Sequence, residues 1–352
     1  MKIGILDGDD IGHEIVPVTV EVMKAAAAKA GLAVEWEQLP IGRRAYDTLG
    51  TTLPEDTLPR LEAMAGWILG PIGHMAYPKV PEAINPHPIL RKYFDLFANI
   101  RPAKSYTTLP CLHQGVDLVI VRENNEGFQP DRNVVAGCGE FRPTHDVTIS
   151  VRVITRAGSS KVARAAFELA RARRGHLTAV HKDTVFKLGC GMFAEECRKL
   201  AKEYPDVTYD EAIVDTFAMR LVMTPQRYDV VVTTNMFGDI LTDEAAGLVG
   251  GLGMAAGLSA GPRHAMAQAT HGSAPDIAGR NIANPYAMIM SGKMLFDWLG
   301  RHHKSDPALA AGAMIGRAVE HVVEHRLSLT PDLGGEGTTT AMAEAIIGHL
   351  GI

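Results

Sequence analysis

Short apolar runs alternating with amphipathic helical stretches predict an α/β protein, a mostly parallel sheet with helices packed on it. Length points to two lobes: 352 residues is long for one core at the usual 100–200 residues per domain. No low-complexity linker and no fixed-period repeat divides the chain, so the two lobes must be made by a chain that crosses between them.

Taken in order, Lys2–Leu6 reads as a buried strand ending in an acidic-glycine turn, and Glu14–Ala30 as a helix with Gly31 placed to cap it. Gly66–Leu69, Leu96–Ile100 and Leu118–Val121 are further short strands, each running into a polar or glycine-rich turn. Lys161–Arg173 has Arg and Lys on one helical face and Val, Ala, Phe and Leu on the other. His176–Val180 is the next strand, Cys190–Glu203 the next helix and Asp229–Thr234 the strand after it. Phe128–Arg152 breaks the rhythm: it is rich in Gly, Pro and Thr, carries Val134–Val135 and Val147–Val151, and lacks helical periodicity. Such a segment is either an arm that pairs with another chain or an ordinary surface hairpin.

Composition excludes several classes of function. Apolar residues make up 46% and charged ones 21%, a globular balance that rules out general disorder. A net charge of −5 leaves no basic surplus for phosphates, which argues against nucleic-acid binding. No apolar run reaches membrane-spanning length, and the start MKIGILDGDD carries charge where a signal peptide would be apolar. A cytoplasmic protein with no membrane role is expected. Cys111, Cys138, Cys190 and Cys197 form no CxxC pair, and reduced thiols without chemistry are the simplest reading.

Chemistry concentrates in four places. Asn235-Met-Phe-Gly-Asp239-Ile-Leu-Thr-Asp243-Glu244 follows a strand and opens a helix. Asp239 and Asp243, four apart, share a face where their like charges repel by a few tenths of a kcal/mol. A divalent cation such as Mg²⁺ or Mn²⁺ would relieve that repulsion; alternatively the pair only complements the helix dipole. Arg91, Arg101 and Arg122 read as strand-end arginines, where ligands of open α/β sheets gather, and their forks match a small polyanion. Lys182 and Asp215 each end a strand-like run; a desolvated Lys182 would have a lowered pKa and could serve as a base. His181 is more readily a hydrogen-bonding core histidine. Finally, 271–285 is a Gly/Pro-punctuated loop, and no G-x-G-x-x-G follows any strand, so the usual Rossmann argument does not apply.

Together these segments resemble the isocitrate/isopropylmalate dehydrogenase family, β-decarboxylating enzymes that oxidise (2R)-malates substituted at C3. The resemblance runs from Leu6-Asp-Gly-Asp to Thr330-Pro-Asp-Leu-Gly-Gly; 235–244 and 271–285 are its most specific parts, and Leu90-Arg-Lys with 96–104 looks nearest to the homoisocitrate branch. It implies the two-lobed α/β/α fold of isopropylmalate dehydrogenase, with residues 1–97 plus 250–352 as a large cofactor-binding lobe. Residues 98–249 would be a small lobe with the dimer interface and an arm at about 128–152. It further implies that Arg91, Arg101 and Arg122 grip the malate carboxylates of a hydroxy-dicarboxylic or tricarboxylic acid. Asp239 and Asp243 would hold Mg²⁺ or Mn²⁺ with Asp215. Asp215 and Lys182 would reach in from a second subunit as the catalytic pair, so a homodimer would share its active sites. The cofactor would lie along His271, Gly272, Ser273, Ala274, Pro275, Asp276 and Asn284. Members using NADP carry a lysine where this chain has Asp276, and a carboxylate there repels a 2′-phosphate, which favours NAD.

The chain departs from the family pattern at several positions. The usual tyrosine seven residues after Arg122 is Gln129, and no tyrosine lies between Tyr106 and Tyr204. Gln129 cannot protonate C3, so water, Lys182 or a histidine such as His145 must do so, or decarboxylation is impaired. The usual Gly-Asp-Gly-Ile-Gly-Pro is Gly8-Asp-Asp10-Ile-Gly-His13, and the usual Glu before the cofactor loop is Gln268. The segment that meets the C3 substituent, Ile84-Asn-Pro-His87-Pro88, matches neither isocitrate nor isopropylmalate enzymes. His87 suits a polar substituent, Ile84 and Ile89 an apolar one, and the prolines suggest a loop or broken helix. The leading expectation is NAD- and Mg²⁺/Mn²⁺-dependent oxidative decarboxylation of a 3-substituted (2R)-malate. The alternatives are oxidation of a tartrate- or D-malate-like acid without decarboxylation, and a non-catalytic metabolite-binding subunit.

Overall fold

The computed structural model describes residues 1–128 and 138–352; Gln129, Val134 and Val135 lie outside the described residues. In chain order the elements are β1 (Lys2–Leu6), α1 (Gly12–Lys29), β2 (Glu35–Gln38), α2 (Gly42–Leu49), α3 (Thr57–Glu62), β3 (Gly66–Leu69) and α4 (Pro86–Tyr93). There follow β4 (Ala98–Lys104), β5 (Asp117–Glu123), β6 (Glu140–Thr144), β7 (Val147–Ser150), α5 (Arg156–Arg171), β8 (His176–His181) and α6 (Gly189–Ala201). The chain continues through β9 (Thr208–Ile213), α7 (Val214–Met223), β10 (Val230–Thr233), α8 (Asn235–Val249), β11 (Leu258–Ala260) and β12 (Ala265–Ala267), and closes with α9 (Tyr286–His303), α10 (Asp306–Glu324) and α11 (Thr339–Gly348).

Packing divides the described chain into two units. One comprises Met1–Phe94, Tyr106–Leu112 and Gly250–Ile352; the other comprises Asp95–Ser105 and His113–Val249. Residues 106–112, expected in the second lobe, group instead with the first unit.

In the first unit the strands run β2-β1-β3-β12-β11. β1 is parallel to both β2 and β3, β12 is parallel to β3, and only β11 runs antiparallel to its neighbour. Strands buried on both faces read as continuous apolar runs, which is why Gly66-Trp-Ile-Leu is legible as a strand and fully buried. Trp67 packs on Phe94 with ring centroids 4.6 Å apart. α1, α9, α10 and α11 pack on one another, and burial of side chains such as Ile15, Met23 and Phe296 contributes about 2 kcal/mol each.

The second unit has the order β4-β5-β10-β8-β9, antiparallel between β4 and β5 and parallel from β5 to β9. The two-residue period of the strands feeds two cores. Val230, Val232, Leu177 and Ala179 face Phe167 of α5 and Phe193 of α6. Val231, Val180, Leu118 and Ile120 face Phe217 of α7 and Leu241, Ala245 and Leu248 of α8. β6 and β7 form an antiparallel hairpin in a sheet of their own, with Phe141 opposite Ile149. Phe141, Val147 and Ile149 of that hairpin are exposed.

Three local expectations need correction. The prolines of 84–88 do not break a helix; they start one. Pro86 occupies the first position of α4 and Pro88 its third, where backbone N–H groups have no intrahelical acceptor in any case. The Asn85 side chain caps this end by accepting from His87 N at 3.1 Å. Arg91 consequently sits in the last turn of α4 and not at a strand end. Arg101 also misses a strand end: the strand expected to stop at Ile100 continues through Pro102 to Lys104, leaving Arg101 at its centre.

Candidate active site

β4 and β5 pair with Asn99 opposite Arg122 and Arg101 opposite Ile120. In that register Arg101 and Arg122 leave the sheet on one face, the face covered by α8. Both are buried, at 9% and 3% exposure. Arg122 donates to Asn235 Oδ1 (2.7 and 3.2 Å) and to Asp239. Arg101 donates to Asn99 Oδ1 (2.5 Å), Thr242 Oγ1 (2.7 Å) and Asp243 Oδ1 (3.4 Å), with Asp239 at 3.5 Å. Gly238 makes this approach possible: a Cβ there would lie 2.6 Å from Arg122 Cγ.

Asp239 and Asp243 are about half exposed, one helical turn apart, so the face pairs two buried cations with two accessible anions. Burial pulls the Arg101 guanidinium down from its ordinary value, against the opposing pull of Asp239 and Asp243. Burial likewise pushes the Asp243 carboxyl up, against Arg101. Because the four charges balance, a divalent cation and a dianionic ligand could enter together without leaving net charge in the site. Oxygen donors of this kind suit Mg²⁺ or Mn²⁺. Among the described residues no three His, Cys, Asp or Glu side chains converge on one point. The two aspartates therefore fit such an ion as part of a shell that needs oxygens from substrate, water or another carboxylate.

Lys182, one residue past β8, forms an ion pair with Asp215 on the first turn of α7, Nζ to Oδ1 2.6 Å. Hydrogen bonding to Lys182 lowers the Asp215 carboxyl from its ordinary value. Beneath the pair, His181 is buried and bonds Glu211 at 3.0 Å, which also accepts from Arg198 and from Tyr209 Oη at 2.8 Å. The histidine is thus a packed, hydrogen-bonded group, as its sequence setting suggests.

A carboxylate that sequence reasoning missed lies beside Arg122. Glu123 is 3% exposed and accepts from the backbone N–H groups of Asn125 (2.7 Å) and Glu126 (2.8 Å). Burial nevertheless pushes its pKa up to about 7.

In the first unit the loop 271–284 is tied down at several points. Ile11 N donates to Ser273 O (3.1 Å), and Glu14 accepts from the N–H groups of Gly279 and Asn281. Asn284 donates to Asp332 (2.9 Å) and accepts from Tyr286 N at the start of α9 (2.9 Å). Burial holds the His271 imidazole pKa down, and its Nδ1 lies 2.9 Å from Gly272 O. Gly272, Pro275 and Asp276 are exposed, and Ala274 takes a positive φ of 42°. Beside the loop an open cleft of about 540 Å³ lies between Asp10, Glu14, Arg43, Arg44 and Gly279. Asp10 stands at φ 48°, a left-handed conformation that aspartate tolerates where the resembled family has glycine. Its neighbour Asp9 is buried and accepts from Tyr77 Oη (2.6 Å), Arg43 N (2.7 Å) and Gly73 N (2.8 Å), fixing this turn.

The structure thus gathers Arg101, Arg122, Asp239 and Asp243 in one group and Lys182 with Asp215 in a second. Ile84, His87, Pro88 and Arg91 lie with the loop residues in the first unit. Asn99, Asn235, Thr242 and Gln268 complete these groups; all four stand in stretches the sequence singled out, but none of them was given a role there.

Comparison with known proteins identifies the family. The family model for isocitrate/isopropylmalate dehydrogenase matches residues 2–346. The isocitrate/homoisocitrate dehydrogenase of Thermus thermophilus is 41% identical, covering 98% of this chain and 97% of its own. The 3-isopropylmalate/3-methylmalate dehydrogenase of Methanocaldococcus jannaschii is 39% identical over 98% of this chain and 97% of its own. Among solved structures, isocitrate dehydrogenase from Methylococcus capsulatus superposes with a TM-score of 0.86 at 41% identity, covering 99% of each chain.

Proposed function

We propose that this chain, which belongs to the isocitrate/isopropylmalate dehydrogenase family, carries out NAD- and Mg²⁺/Mn²⁺-dependent oxidation and decarboxylation of a 3-substituted (2R)-malate. The observation that carries the reading is the pair of buried guanidiniums, Arg101 and Arg122, held against the accessible carboxylates Asp239 and Asp243. Arg101 and Arg122 bind the malate carboxylates by charge-assisted bonds, and Arg91 contributes a third cation. Asp239 and Asp243 hold the metal, with Asp215 supplied by a second subunit. A divalent ion held there would supply polarisation of the C2 oxygen, and NAD held along 271–284 would supply the hydride acceptor. Lys182, once it has passed its own proton to water, takes the proton of the C2 hydroxyl, with Asp215 holding it in place. The exposed carboxylate of Asp276 supports NAD over NADP, since it would repel a 2′-phosphate.

Two surfaces support a homodimer with shared sites. Met219, Val222 and Met223 of α7 and Met236 and Ile240 of α8 are exposed, as are the apolar residues of the hairpin; apolar surface gathered in this way marks association.

The glutamine at position 129 favours a second reading at the same site, oxidation that stops at the keto acid. Purified protein with Mn²⁺ and NAD, offered D-malate, tartrate, isocitrate, homoisocitrate and 3-isopropylmalate with CO₂ trapped, separates the two. Equal NADH and CO₂ is expected, with Lys182 or water protonating C3; NADH without CO₂ establishes the second reading. Failure to bind NAD or reduce it with any of these acids would refute both.

A further inference from the structure

The two-residue period of β8 sorts its end between the two faces of the sheet. Leu177 and Ala179 face α5 and α6, and Val180 faces α7 and α8. His181 therefore points to the α6 side and Lys182 to the α7 side, where Asp215 meets it. β8 and β9 are parallel with His181 opposite Ile213, so Glu211 and Tyr209 follow on the His181 face at two-residue steps back along β9. The Glu211 carboxylate is saturated there. It accepts from His181 Nε2 (3.0 Å), from Tyr209 Oη (2.8 Å) and from Nε and Nη2 of Arg198 on α6 (2.7 and 2.6 Å). The other ring nitrogen, His181 Nδ1, lies 3.4 Å from both the backbone N and Oδ1 of Asp183, and Arg198 stands 3.9 Å from Asp183 Oδ2. One network thus holds the residues on either side of Lys182. The carbonyl of Lys182 itself accepts from Val185 N (3.1 Å) and Phe186 N (2.8 Å). A fully satisfied polar network of this kind rigidifies the backbone that carries it.

We propose that His181 and Glu211 are positioning residues for Lys182. They hold 181–183 on the α6 side, so that Lys182 leaves the opposite face at a fixed angle toward Asp215 and toward the C2 hydroxyl in the site it serves. His181 touches neither substrate nor ion and acts only through Lys182. The kinetic part rests on the function proposed above; the placement of Lys182 does not. A misplacement of about 1 Å costs up to about a hundredfold in rate, so freeing this turn should show in kcat.

Acetylation of the full chain with limiting acetic anhydride, quantified by peptide mass spectrometry against the exposed Lys304, reads the placement of Lys182 with no substrate present. His181→Leu should speed labelling of Lys182 relative to Lys304 about threefold, the worth of one released ion pair. In turnover, His181→Leu should lower kcat about tenfold and leave KM for the malate within about twofold, because binding rests on the arginines. His181→Gln, which keeps an N–H toward Glu211, should restore most of both. Unchanged labelling of Lys182 overturns the positioning role. So does a loss of kcat that His181→Gln fails to recover, or one matched by a rise in KM. Should His181→Leu fail to fold, Tyr209→Phe decides in its place, since it takes one donor from Glu211 and keeps the ring packed. It should move labelling and kcat in the same directions by less, and no change in either overturns the proposal. A wild-type protein that oxidises no malate sinks the proposed function and the kinetic part with it, and the labelling still decides whether His181 holds Lys182.

Discussion

Replacing Glu123 with glutamine should remove a pH dependence from folding. Glu123 is 3% exposed, and burial raises its pKa from 4.5 to about 7. A carboxyl that holds its proton more tightly when folded stabilises the native state most fully below the unfolded value, near pH 4.5. That contribution is lost as the pH rises through about 7. A shift of this size corresponds to about 3 kcal/mol. Urea unfolding of wild type and Glu123→Gln at half-unit steps from pH 4.5 to 8.5 reads the effect. The glutamine cannot accept from both Asn125 N and Glu126 N as the carboxylate does, so the variant starts with a constant handicap. The decisive quantity is therefore the change in the difference with pH. The stability of Glu123→Gln relative to wild type should climb by about 3 kcal/mol across the range. A flat difference would show that burial and the two N–H bonds cancel, and a falling one that the N–H bonds win; either refutes the reasoning.

Gly42→Ala should cost about 2–4 kcal/mol, because φ is 72° and the new Cβ would lie 2.4 Å from Asp9 Oδ1. Gly50→Ala, at φ 77° with nothing within 4 Å, should cost about 1 kcal/mol; thermal melts of the two variants separate collision from backbone strain. Burial resists ionisation of Glu211, but bonds from His181, Arg198 and Tyr209 outweigh it and hold the carboxyl at about 2. Its contribution is present above pH 4.5 and lost as the pH falls toward 2, so Arg198→Ala should move the acid-unfolding midpoint to higher pH, followed by circular dichroism. Asp276→Lys should raise the NADP-to-NAD ratio of kcat/KM by about tenfold or more; an unchanged ratio would take Asp276 out of cofactor selection.

Elements buried on both faces were the most legible in the sequence, since runs such as Val230–Thr233 carry their own apolar signature. The α8 aspartates were legible for a similar reason: four-residue spacing on a helix is a local property. The prolines of α4 misled because proline in a first turn and proline in a broken helix look alike; the cap at Asn85 was the available signal. Arg101 was placed at a strand end because the apolar run stops at Ile100 and polar residues follow, although the strand itself continues to Lys104. Nothing local distinguishes Glu123 from a surface glutamate, and the partners of Asp9 lie at Arg43, Gly73 and Tyr77. Gln268 and His87 are brought together only by tertiary structure. Contacts between distant segments leave no pattern in a single sequence, and these sites are made mostly of such contacts.

The interleaving of the two units sets an order of assembly on the ribosome. All of the second unit has been synthesised once Val249 has emerged. The first unit has then made β1, β2 and β3 but lacks β11, β12 and α9, which packs on β3 and β12, and α10 and α11, which pack on α1. Its buried strands must wait while the stretch from Asp95 to Val249 is translated, on the order of ten to thirty seconds at ordinary elongation rates. Through that interval Ile3, Leu6, Trp67 and Leu69 lack their final covering, a window in which a chaperone or an early helix such as α1 has to shield them.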